Sequence, residues 1–472
     1  MLVSASSSGF QETNCLKYDV IIVGAGPAGI FSALELAEKT DLSILMIDKG
    51  PDIDKRRCPA SRGFECLNCD PCMLLSGWGG SGAFSDGKLT LSTEIGGWLP
   101  QYISTEKLER LINYVDSIYL RFGATKHVYG EDIEKVEEIE RRSSLAGLKL
   151  VQQRIRHMGT ERCAETLRKM RRELNSRVHV ELRKDIKSLL VENRVAKGVE
   201  TVDGEQFFGK HVVVAPGRSG AEWLQTEAQT LGLETLSNPV DVGIRVEVLA
   251  SVMEDLTKVL YEPKFIYYSK FFDDQVRTFC VAPYGEVITE SYDGVLTVNG
   301  QSYAERKTKN TNFAILVRTS FTAPFKEPIA YGKYLARLSN ILSGGVIIQR
   351  LGDLQAGKRS TTERIERSIV TPTLKNATPG DLSFVLPYRY LADIREILEA
   401  LDKISPGINS RDTLLYGIEV KFYSSRLKLS ENLETKIHNL FTIGDGAGVT
   451  RGLTQASASG VIVAKEIINR EK

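Results

Sequence analysis

The stretch that decides the fold is DVIIVGAGPAGIFSALELAEKTDLSILMIDKG, residues 19–50. Its first apolar run, residues 20–23, is short and β-branched, as expected of a buried strand. The pattern G-x-G-x-x-G follows at Gly24, Gly26 and Gly29, and apolar residues then recur at helical spacing. A second apolar run ends at Asp48. This order predicts a strand, a glycine turn, a helix and a second strand parallel to the first.

Each glycine has a physical role in such a turn. Gly24 permits the tight turn, Gly26 leaves room for a pyrophosphate against the backbone, and Gly29 lets the helix pack close to the sheet. The helix start at Pro27 and Ala28 presents the positive end of its dipole to phosphates. Asp48, nineteen residues after Gly29 and followed by Lys49, can accept hydrogen bonds from ribose hydroxyls. The stretch therefore predicts a dinucleotide site.

Composition sets broad limits on function. The chain has 472 residues, of which 42% are hydrophobic and 26% charged, with a formal net charge of +1. That balance gives no electrostatic argument for nucleic acid or an anionic membrane. No apolar run is long enough for a transmembrane helix, and the Ser-rich residues 1–16 are expected to be a loose extension. Seven cysteines, an odd number, favour a reducing, cytoplasmic location.

The other end of the chain carries the second half of the expected site. Residues 439–465 read NLFTIGDGAGVTRGLTQASASGVIVAK, a strand that ends at Gly444-Asp445 and a later small-residue helix. This pattern resembles the C-terminal flavin signature of FAD oxidoreductases in the glutathione-reductase superfamily. The resemblance implies that Asp445 binds the ribityl or pyrophosphate part of FAD. It also implies that Gly452, Leu453 and Thr454 present backbone N–H groups to the flavin.

Two more segments fit the same superfamily. VVVAPG, residues 212–217, resembles the strand and turn that return the chain to the FAD domain, which assigns Gly217 to the site. The strand near Ile186 would contact adenine through its backbone. SGWGGSGAFSDGKL, residues 76–89, resembles the glycine-rich segment beside the pyrophosphate and flavin. Its residues Gly79, Gly80, Ser81 and Gly82 can present backbone N–H groups to these parts of FAD.

The complete set of motifs resembles a group of predicted FAD-dependent dehydrogenases. The stretches that carry the resemblance are VGAGPAG, GWGGSGAFSDGKLTL, RTFCVAPYGEV and IGDGAGVTRGLTQASASG. A second G-x-G-x-x-G for NAD(P)H is missing, so the layout matches the branch with a single dinucleotide. We therefore expect an α/β fold, with a glutathione-reductase-like FAD-binding Rossmann domain interrupted by a mixed-sheet substrate domain. The expected FAD domain covers 17–105, 150–240 and 410–472, with a helical insertion at 106–149 and the substrate domain at 241–409.

Four cysteines precede the glycine-rich segment, and their pattern leaves several chemistries open. Cys58, Cys66, Cys69 and Cys72 form C-x7-C-x2-C-x2-C. Three thiolates at steps of three can hold one side of a 4Fe-4S cluster. Zinc, a redox disulfide beside the flavin and unliganded thiols are the alternatives. A cluster would explain how single electrons reach a flavin without a second nucleotide domain.

Three residues are candidate catalytic groups. His157 precedes Thr160, which can cap the next helix, and could donate a proton near the flavin. Lys88, with Asp86, could reach the flavin or the substrate. Cys280 lies in a region, residues 240–297, that alternates like an antiparallel sheet. Each has a structural alternative, such as a core histidine, a solvated lysine or a strand-face cysteine.

These features predict an FAD-dependent oxidoreductase that acts on a small molecule, with NAD(P)H or ferredoxin as electron donor. An alkene or ring reductase is the narrower form of this hypothesis. The alternative is a flavin-dependent protein that modifies or binds RNA, which requires a basic face built from Arg154, Arg156, Arg162, Arg171 and Arg172. A non-catalytic FAD-bound assembly protein is the third possibility.

Overall fold

The computed structural model describes residues 17–59, 67, 69–236, 240–292, 294–303, 306–319, 327–421 and 426–472. The predicted N-terminal extension and Cys66 lie outside these residues.

The described strands are β1 (Lys17–Val23), β2 (Ile44–Asp48), β3 (Lys88–Thr90), β4 (Lys149–Leu150), β5 (Ile155–His157), β6 (Val178–Leu182), β7 (Ile186–Glu192), β8 (Val195–Thr201), β9 (Gln206–Val214), β10 (Thr235–Leu236), β11 (Val240–Leu249), β12 (Phe265–Tyr268), β13 (Gln275–Ala282), β14 (Glu286–Tyr292), β15 (Val295–Gln301), β16 (Asn310–Thr319), β17 (Ile347–Arg350), β18 (Thr378–Pro379), β19 (Leu414–Lys421), β20 (Arg426–Leu427) and β21 (Leu440–Thr442).

The described α-helices are α1 (Pro27–Lys39), α2 (Thr105–Arg121), α3 (Ile133–Leu145), α4 (Thr160–Leu174), α5 (Ala221–Thr230), α6 (Ala250–Leu260), α7 (Pro328–Ser343), α8 (Leu351–Gln355), α9 (Thr362–Glu366), α10 (Tyr388–Asp402) and α11 (Leu453–Arg470).

The first sheet is a doubly wound parallel sheet with an antiparallel extension. Its order is β6-β2-β1-β9-β8-β7, and β21 pairs with the second half of β9. Strands β6, β2, β1, β9 and β21 are parallel, whereas β8 is antiparallel to β9 and β7 is antiparallel to β8. Helices α1 and α11 pack against each other beside this sheet, so the two ends of the chain share one core. The predicted α/β class and FAD-type Rossmann domain are confirmed.

The second sheet lies on the side of the molecule that faces the first sheet. Its order is β18-β17-β19-β11-β16-β13-β12-β4, and nearly all its pairs are antiparallel. Alternate residues of β11 join an apolar core with α6 and α10: Val240, Val242, Ile244, Val246 and Val248. The residues between them point to the opposite face, which turns toward the first sheet. Period-2 alternation thus separates an apolar back from a polar front.

Two strands of the second sheet come from segments that sequence reasoning assigned elsewhere. Strand β19 was expected in the FAD domain, but it pairs with β11 and β17 in the second sheet. Strand β4, also assigned to the FAD domain or insertion, pairs with β12. Position along the chain did not predict the sheet to which these strands belong, because a short apolar run can pair in either sheet. Within the predicted insertion, α2 packs on the first core and α3 on the second.

Candidate functional site

A cavity of about 600 Å³ lies between the glycine turns of the first sheet and the polar face of the second. We call it the chamber. Its lining on the first side includes Gly24, Gly26 and Gly217, and on the second side Arg277 and Cys280. Ligands of open α/β sheets bind beyond the carboxyl ends of the strands, which is where these turns lie.

The first glycine turn is fixed by backbone contacts at two positions and is open at the third. Gly24 has φ +107°, and a Cβ there would lie 2.1 Å from the carbonyl oxygen of Ala215. A Cβ on Gly29 would lie 2.0 Å from the carbonyl oxygen of Gly24. On Gly26, by contrast, the nearest described atom is the Cα of Gly80, at 3.9 Å. No described protein atom requires glycine at position 26, so the free space there fits a bound phosphate.

Asp48 holds two glycine segments in place, in addition to its predicted role in binding ribose. One carboxylate oxygen accepts a hydrogen bond from the backbone N–H of Ala25 at 2.8 Å. The other accepts from Gly50 at 2.8 Å and Gly77 at 2.7 Å. The carboxylate therefore ties both glycine segments to the end of β2. It also lines the chamber, where its remaining lone pairs can accept ribose hydroxyls.

The second glycine segment is held by an arginine that sequence reasoning missed. Arg56 is buried and donates to the backbone carbonyl oxygens of Met73, Leu74, Trp78 and Gly80 at 2.7–3.0 Å. Burial lowers the pKa of this guanidinium to about 10. One side chain thus fixes the whole turn from the cysteine segment to Gly80. Nothing in the local pattern DKRRC signals this role, because its four acceptors are backbone atoms.

The C-terminal half of the cradle is built around Asp445. Its carboxylate accepts from the hydroxyl of Thr450 at 2.9 Å and from the backbone N–H of Gly452 at 3.4 Å. Gly452 has φ +84° and immediately precedes α11. Asp445 therefore holds the helix start toward the chamber, which Gly444, Asp445, Gly452 and Leu453 line.

Most of the predicted FAD residues reach one surface. The predicted residues that line the chamber are Gly24, Gly26, Pro27, Ala28, Asp48, Lys49, Gly80, Ser81, Gly82, Ile186, Gly217, Gly444, Asp445, Gly452 and Leu453. Gly29, Gly79 and Thr454 are not among its lining residues. Gly79 instead donates its N–H to the carbonyl of Ala25 at 2.7 Å, and the hydroxyl of Thr454 is buried without a described partner.

Lys88, a predicted catalytic residue, anchors a charged cluster on the chamber wall. Its ammonium lies 3.2 Å from Asp86 and 2.9 Å from Glu262, and donates to the carbonyl of Val281 at 3.0 Å. Burial alone would lower the pKa of Lys88, but the two carboxylates hold it well above the ordinary lysine value. Lys88 is therefore a permanent cation and not a proton donor at neutral pH.

His157 does not line the chamber but is connected to it by hydrogen bonds. Its Nε2 lies 2.8 Å from the hydroxyl of Tyr261, which lies 2.9 Å from the hydroxyl of Ser302. Ser302 in turn donates to Asp86, a lining residue, at 3.5 Å. Burial lowers the pKa of His157 to about 4, so the imidazole is neutral at pH 7. Sequence reasoning missed Tyr261, because it follows the end of α6 with no local signal.

Cys280, the third predicted catalytic residue, lines the chamber with an unusual backbone. It has φ +47°, a conformation uncommon outside glycine. Its N–H donates to Glu262 at 3.0 Å, and its carbonyl accepts from Arg245 at 3.0 Å. The buried Arg245 and the partly buried Glu262 therefore hold this residue against the chamber. Such strain, where it is observed, is common at functional sites.

The predicted metal cysteines are only partly within the described residues. Cys58 is buried, whereas Cys69 and Cys72 are partly exposed. The described part of the chain holds no group of three or more His, Cys, Asp or Glu arranged for a metal ion. Because Cys66 lies outside that part, the predicted cluster remains a prediction.

The basic residues of the RNA hypothesis do not act together. Arg156 is buried and forms a bidentate pair with Asp116 at 2.7 Å. Arg171 pairs with Asp52 at 3.2 Å and covers the ring of Trp78. Arg154, Arg162 and Arg172 are exposed. Two of the five side chains are therefore engaged within the protein.

In the described segments no helix combines the length and the apolar character needed to cross a bilayer.

Comparison with known proteins bears on this site. Residues 240–422 match the family model described as FAD-dependent protein, C-terminal domain-like. An uncharacterised protein of Clostridium beijerinckii is 26% identical over 497 aligned positions, which cover 99% of this chain and 83% of that protein. Digeranylgeranylglycerophospholipid reductase of Methanosarcina mazei is 38% identical over 99 positions, only 20% of this chain and 24% of that protein.

Solved structures with a related layout are distant. Formate oxidase of Aspergillus oryzae has a TM-score of 0.46 at 11% identity, with 97% of this chain and 99% of that chain covered. L-proline dehydrogenase of P. horikoshii has a TM-score of 0.43 at 14% identity, with coverages of 97% and 95%. Similarity at this level transfers neither substrate nor reaction.

The parallel sheet, the two-ended glycine cradle and the match over residues 240–422 together indicate an FAD-dependent protein.

Proposed function

We propose that the protein moves hydride or electrons between FAD in the cradle and a small organic substrate in the chamber. The observation that carries this proposal is the shared lining: the glycine turns and the polar face of the second sheet enclose one cavity. Bound FAD supplies two-electron and one-electron chemistry, whereas the protein binds, orients and excludes water. The substrate then lies between the cradle and the second sheet.

The residues around Asp86 have separate roles in this proposal. Lys88 fixes Asp86 and Glu262 at the chamber wall through its two ion pairs. The hydrogen-bonded path from His157 through Tyr261 and Ser302 to Asp86 can move a proton toward or away from the chamber. His157 and Tyr261 are therefore positioning residues, and Asp86 is the group that reaches the substrate.

The test begins with flavin content and reduction. We expect the purified protein to bind one FAD per chain and the bound flavin to be reduced anaerobically by NADH, NADPH or reduced ferredoxin. Stopped-flow absorbance measures each rate. A protein that binds FAD but is reduced by none of the three donors would instead be a non-catalytic FAD-bound protein. A protein that remains colourless with excess FAD would not bind this cofactor, and that result would contradict the whole proposal.

The narrower reaction is reduction of an alkene or ring double bond. Such a reduction adds a hydride from the reduced flavin to one carbon and a proton taken up from solvent to the other, and Asp86 at the chamber wall can relay that proton. Protein whose flavin has been reduced should be reoxidised anaerobically by an activated alkene and not by its saturated analogue. Equal rates with both compounds would contradict the alkene assignment.

An iron–sulfur cluster at Cys58, Cys66, Cys69 and Cys72 remains part of the proposal. Cys69 and Cys72 precede Leu74 and the glycine segment that Arg56 holds at the chamber, so a cluster there would lie close to the flavin site. Anaerobically purified protein should contain iron and sulfide and show a broad absorbance that dithionite bleaches. Cys69→Ser should remove it. Unchanged iron content in that variant would exclude this ligand set.

RNA modification is retained as the second candidate, and its support is weak. The ion pairs of Arg156 and Arg171 reduce the basic face it needs. Binding of tRNA that weakens steeply with salt would favour it. Binding at the level of an unrelated protein of similar charge would exclude it.

A further inference from the structure

One end of the polar face of the second sheet carries an excess of positive charge. Asp241 on β11 is paired in register with Arg318 on β16 and with Lys421 on β19. Arg277 on β13 forms an ion pair with Asp241. Lys264 precedes β12 and lines the same surface. Asp241 therefore lies among cations from three neighbouring strands, and Lys264 adds a further ammonium to the same surface.

Lys264 differs from the others in its partners. Lys421 pairs with Glu419 at 3.0 Å, and Arg318 donates to Gln275 at 3.3 Å. Among the described residues, the ammonium of Lys264 has no hydrogen bond or ion pair. It is partly buried and lies near Arg277, so two like charges share a desolvated surface. Arg277 has Asp241 as its counter-ion, whereas a partly buried ammonium without an ion pair costs free energy.

We propose that Lys264, Arg277 and Arg318 form the binding site for an oxyanion group of the substrate, a carboxylate or a phosphate ester. This inference rests on the proposed function, since it assigns the chemical class of the substrate in the same chamber. An oxyanion offers acceptors to the unpaired ammonium and to the two guanidinium groups. It also relieves the repulsion between Lys264 and Arg277.

The protonation of Lys264 gives the site a pH dependence. Burial, followed by the charge of Arg277, lowers the pKa of Lys264 to about 8. The carboxylates that face it from neighbouring segments, Glu262, Asp241 and Glu94, act in the opposite direction. A bound anion favours the charged amine. Anion affinity should therefore be nearly constant below pH 7 and fall up to tenfold per pH unit above pH 8.

The experiment measures anion binding and the reactivity of Lys264 separately. Protein with and without FAD is titrated by calorimetry with succinate, inorganic phosphate and the neutral compound succinamide. In parallel, Lys264 is acetylated at pH 8 with an N-hydroxysuccinimide ester and followed by peptide mass spectrometry. We expect succinate or phosphate, and not succinamide, to slow acetylation of Lys264 at least fivefold. The exposed Lys258 is the internal control and should be unaffected.

Variants distinguish a specific anion-binding site from a nonspecific effect of positive charge. Lys264→Met and Arg318→Gln should each weaken anion binding at least tenfold, whereas Lys258→Met should not. Lys264 has no described side-chain hydrogen bond or ion pair, and the exposed Arg318 loses a hydrogen bond to Gln275 at 3.3 Å, so neither change should unfold the protein. Unprotected acetylation of Lys264, or equal anion affinity in wild type and Lys264→Met, would overturn the inference. Anion protection in protein that cannot bind FAD would leave it standing while the proposed function failed.

Discussion

Lys88 and His157 lie directly opposite each other in the register of β3 and β5. Both side chains lie against the ring of Tyr261. The ammonium of Lys88 lies 5.8 Å from the ring centroid, and the imidazole of His157 stacks on the ring with 4.3 Å between centroids. A cation and a neutral base are thus held on one phenol beside the chamber. The two short strands bring together residues that the sequence separates by a helical insertion.

Removing the charge of Lys88 should destabilise the fold. Lys88→Met leaves the carboxylates of Asp86 and Glu262 partly buried and without their cation. We expect the free energy of unfolding to fall by about 3–5 kcal/mol, measured by urea denaturation at pH 7. Lys258→Met, at an exposed site, should stay within about 0.5 kcal/mol of wild type. A Lys88→Met variant as stable as that control would show that the cluster is not a buried ion-pair network.

The buried His157 should make stability sensitive to acid. Its pKa in the folded protein, about 4, lies below the ordinary value of 6.5. Between these values the unfolded chain takes up a proton that the folded protein does not. This contribution to stability is complete above pH 6.5 and is lost as pH falls toward 4.

Urea denaturation at pH 7.5 and 4.5 tests whether His157 causes this loss of stability. His157→Gln should lose less stability between the two pH values than wild type, by up to about 1.4 kcal/mol per pH unit of difference in pKa. His438→Gln, at an exposed site, should keep the wild-type difference. Identical losses in wild type and His157→Gln would contradict the burial argument.

An added methyl group should have different effects at two glycines of the G-x-G-x-x-G motif. Gly26→Ala meets no described atom within 3.8 Å, so stability of the FAD-free protein should change by less than about 1 kcal/mol. FAD affinity should fall at least tenfold, measured by flavin fluorescence. Gly29→Ala should instead cost about 3 kcal/mol or more, because its methyl group would overlap the carbonyl of Gly24. Unchanged FAD affinity in Gly26→Ala would place the phosphates elsewhere.

Arg245 and Glu419 form a fully buried ion pair behind Cys280, with Nε 2.7 Å from Oε2. Burial would raise the pKa of Glu419, but Arg245 and Lys421 hold it below the ordinary value. Arg245→Met should therefore lower the free energy of unfolding by about 3 kcal/mol. The double variant Arg245→Met with Glu419→Leu should recover most of this loss, as measured for both variants by urea denaturation at pH 7. Additive losses would mean that the two charges do not depend on each other.

Much of the cradle was predictable because its chemistry is local. Gly24, Gly26 and Asp48 lie within one strand–turn–helix–strand unit, whose turn geometry permits few residue types. Asp445 and Gly452 carry a second such pattern. Arg56 was not predictable, since it bonds to four carbonyls and any sequence supplies carbonyls. Gly79 and Thr454 were placed at the site by proximity in the chain, but they are not among the lining residues.

The sequence by itself determined the class of fold, the nucleotide cradle and the face of β11 that is apolar, because glycine geometry and period-2 alternation are properties of neighbouring residues. The tertiary structure decided which charges meet. Arg277 and Arg318 come from two strands and Lys264 from the segment before a third, and β4 and β19 belong to the second sheet although sequence reasoning assigned their segments elsewhere. Pairing between distant strands depends on packing across the whole core, which no short segment encodes.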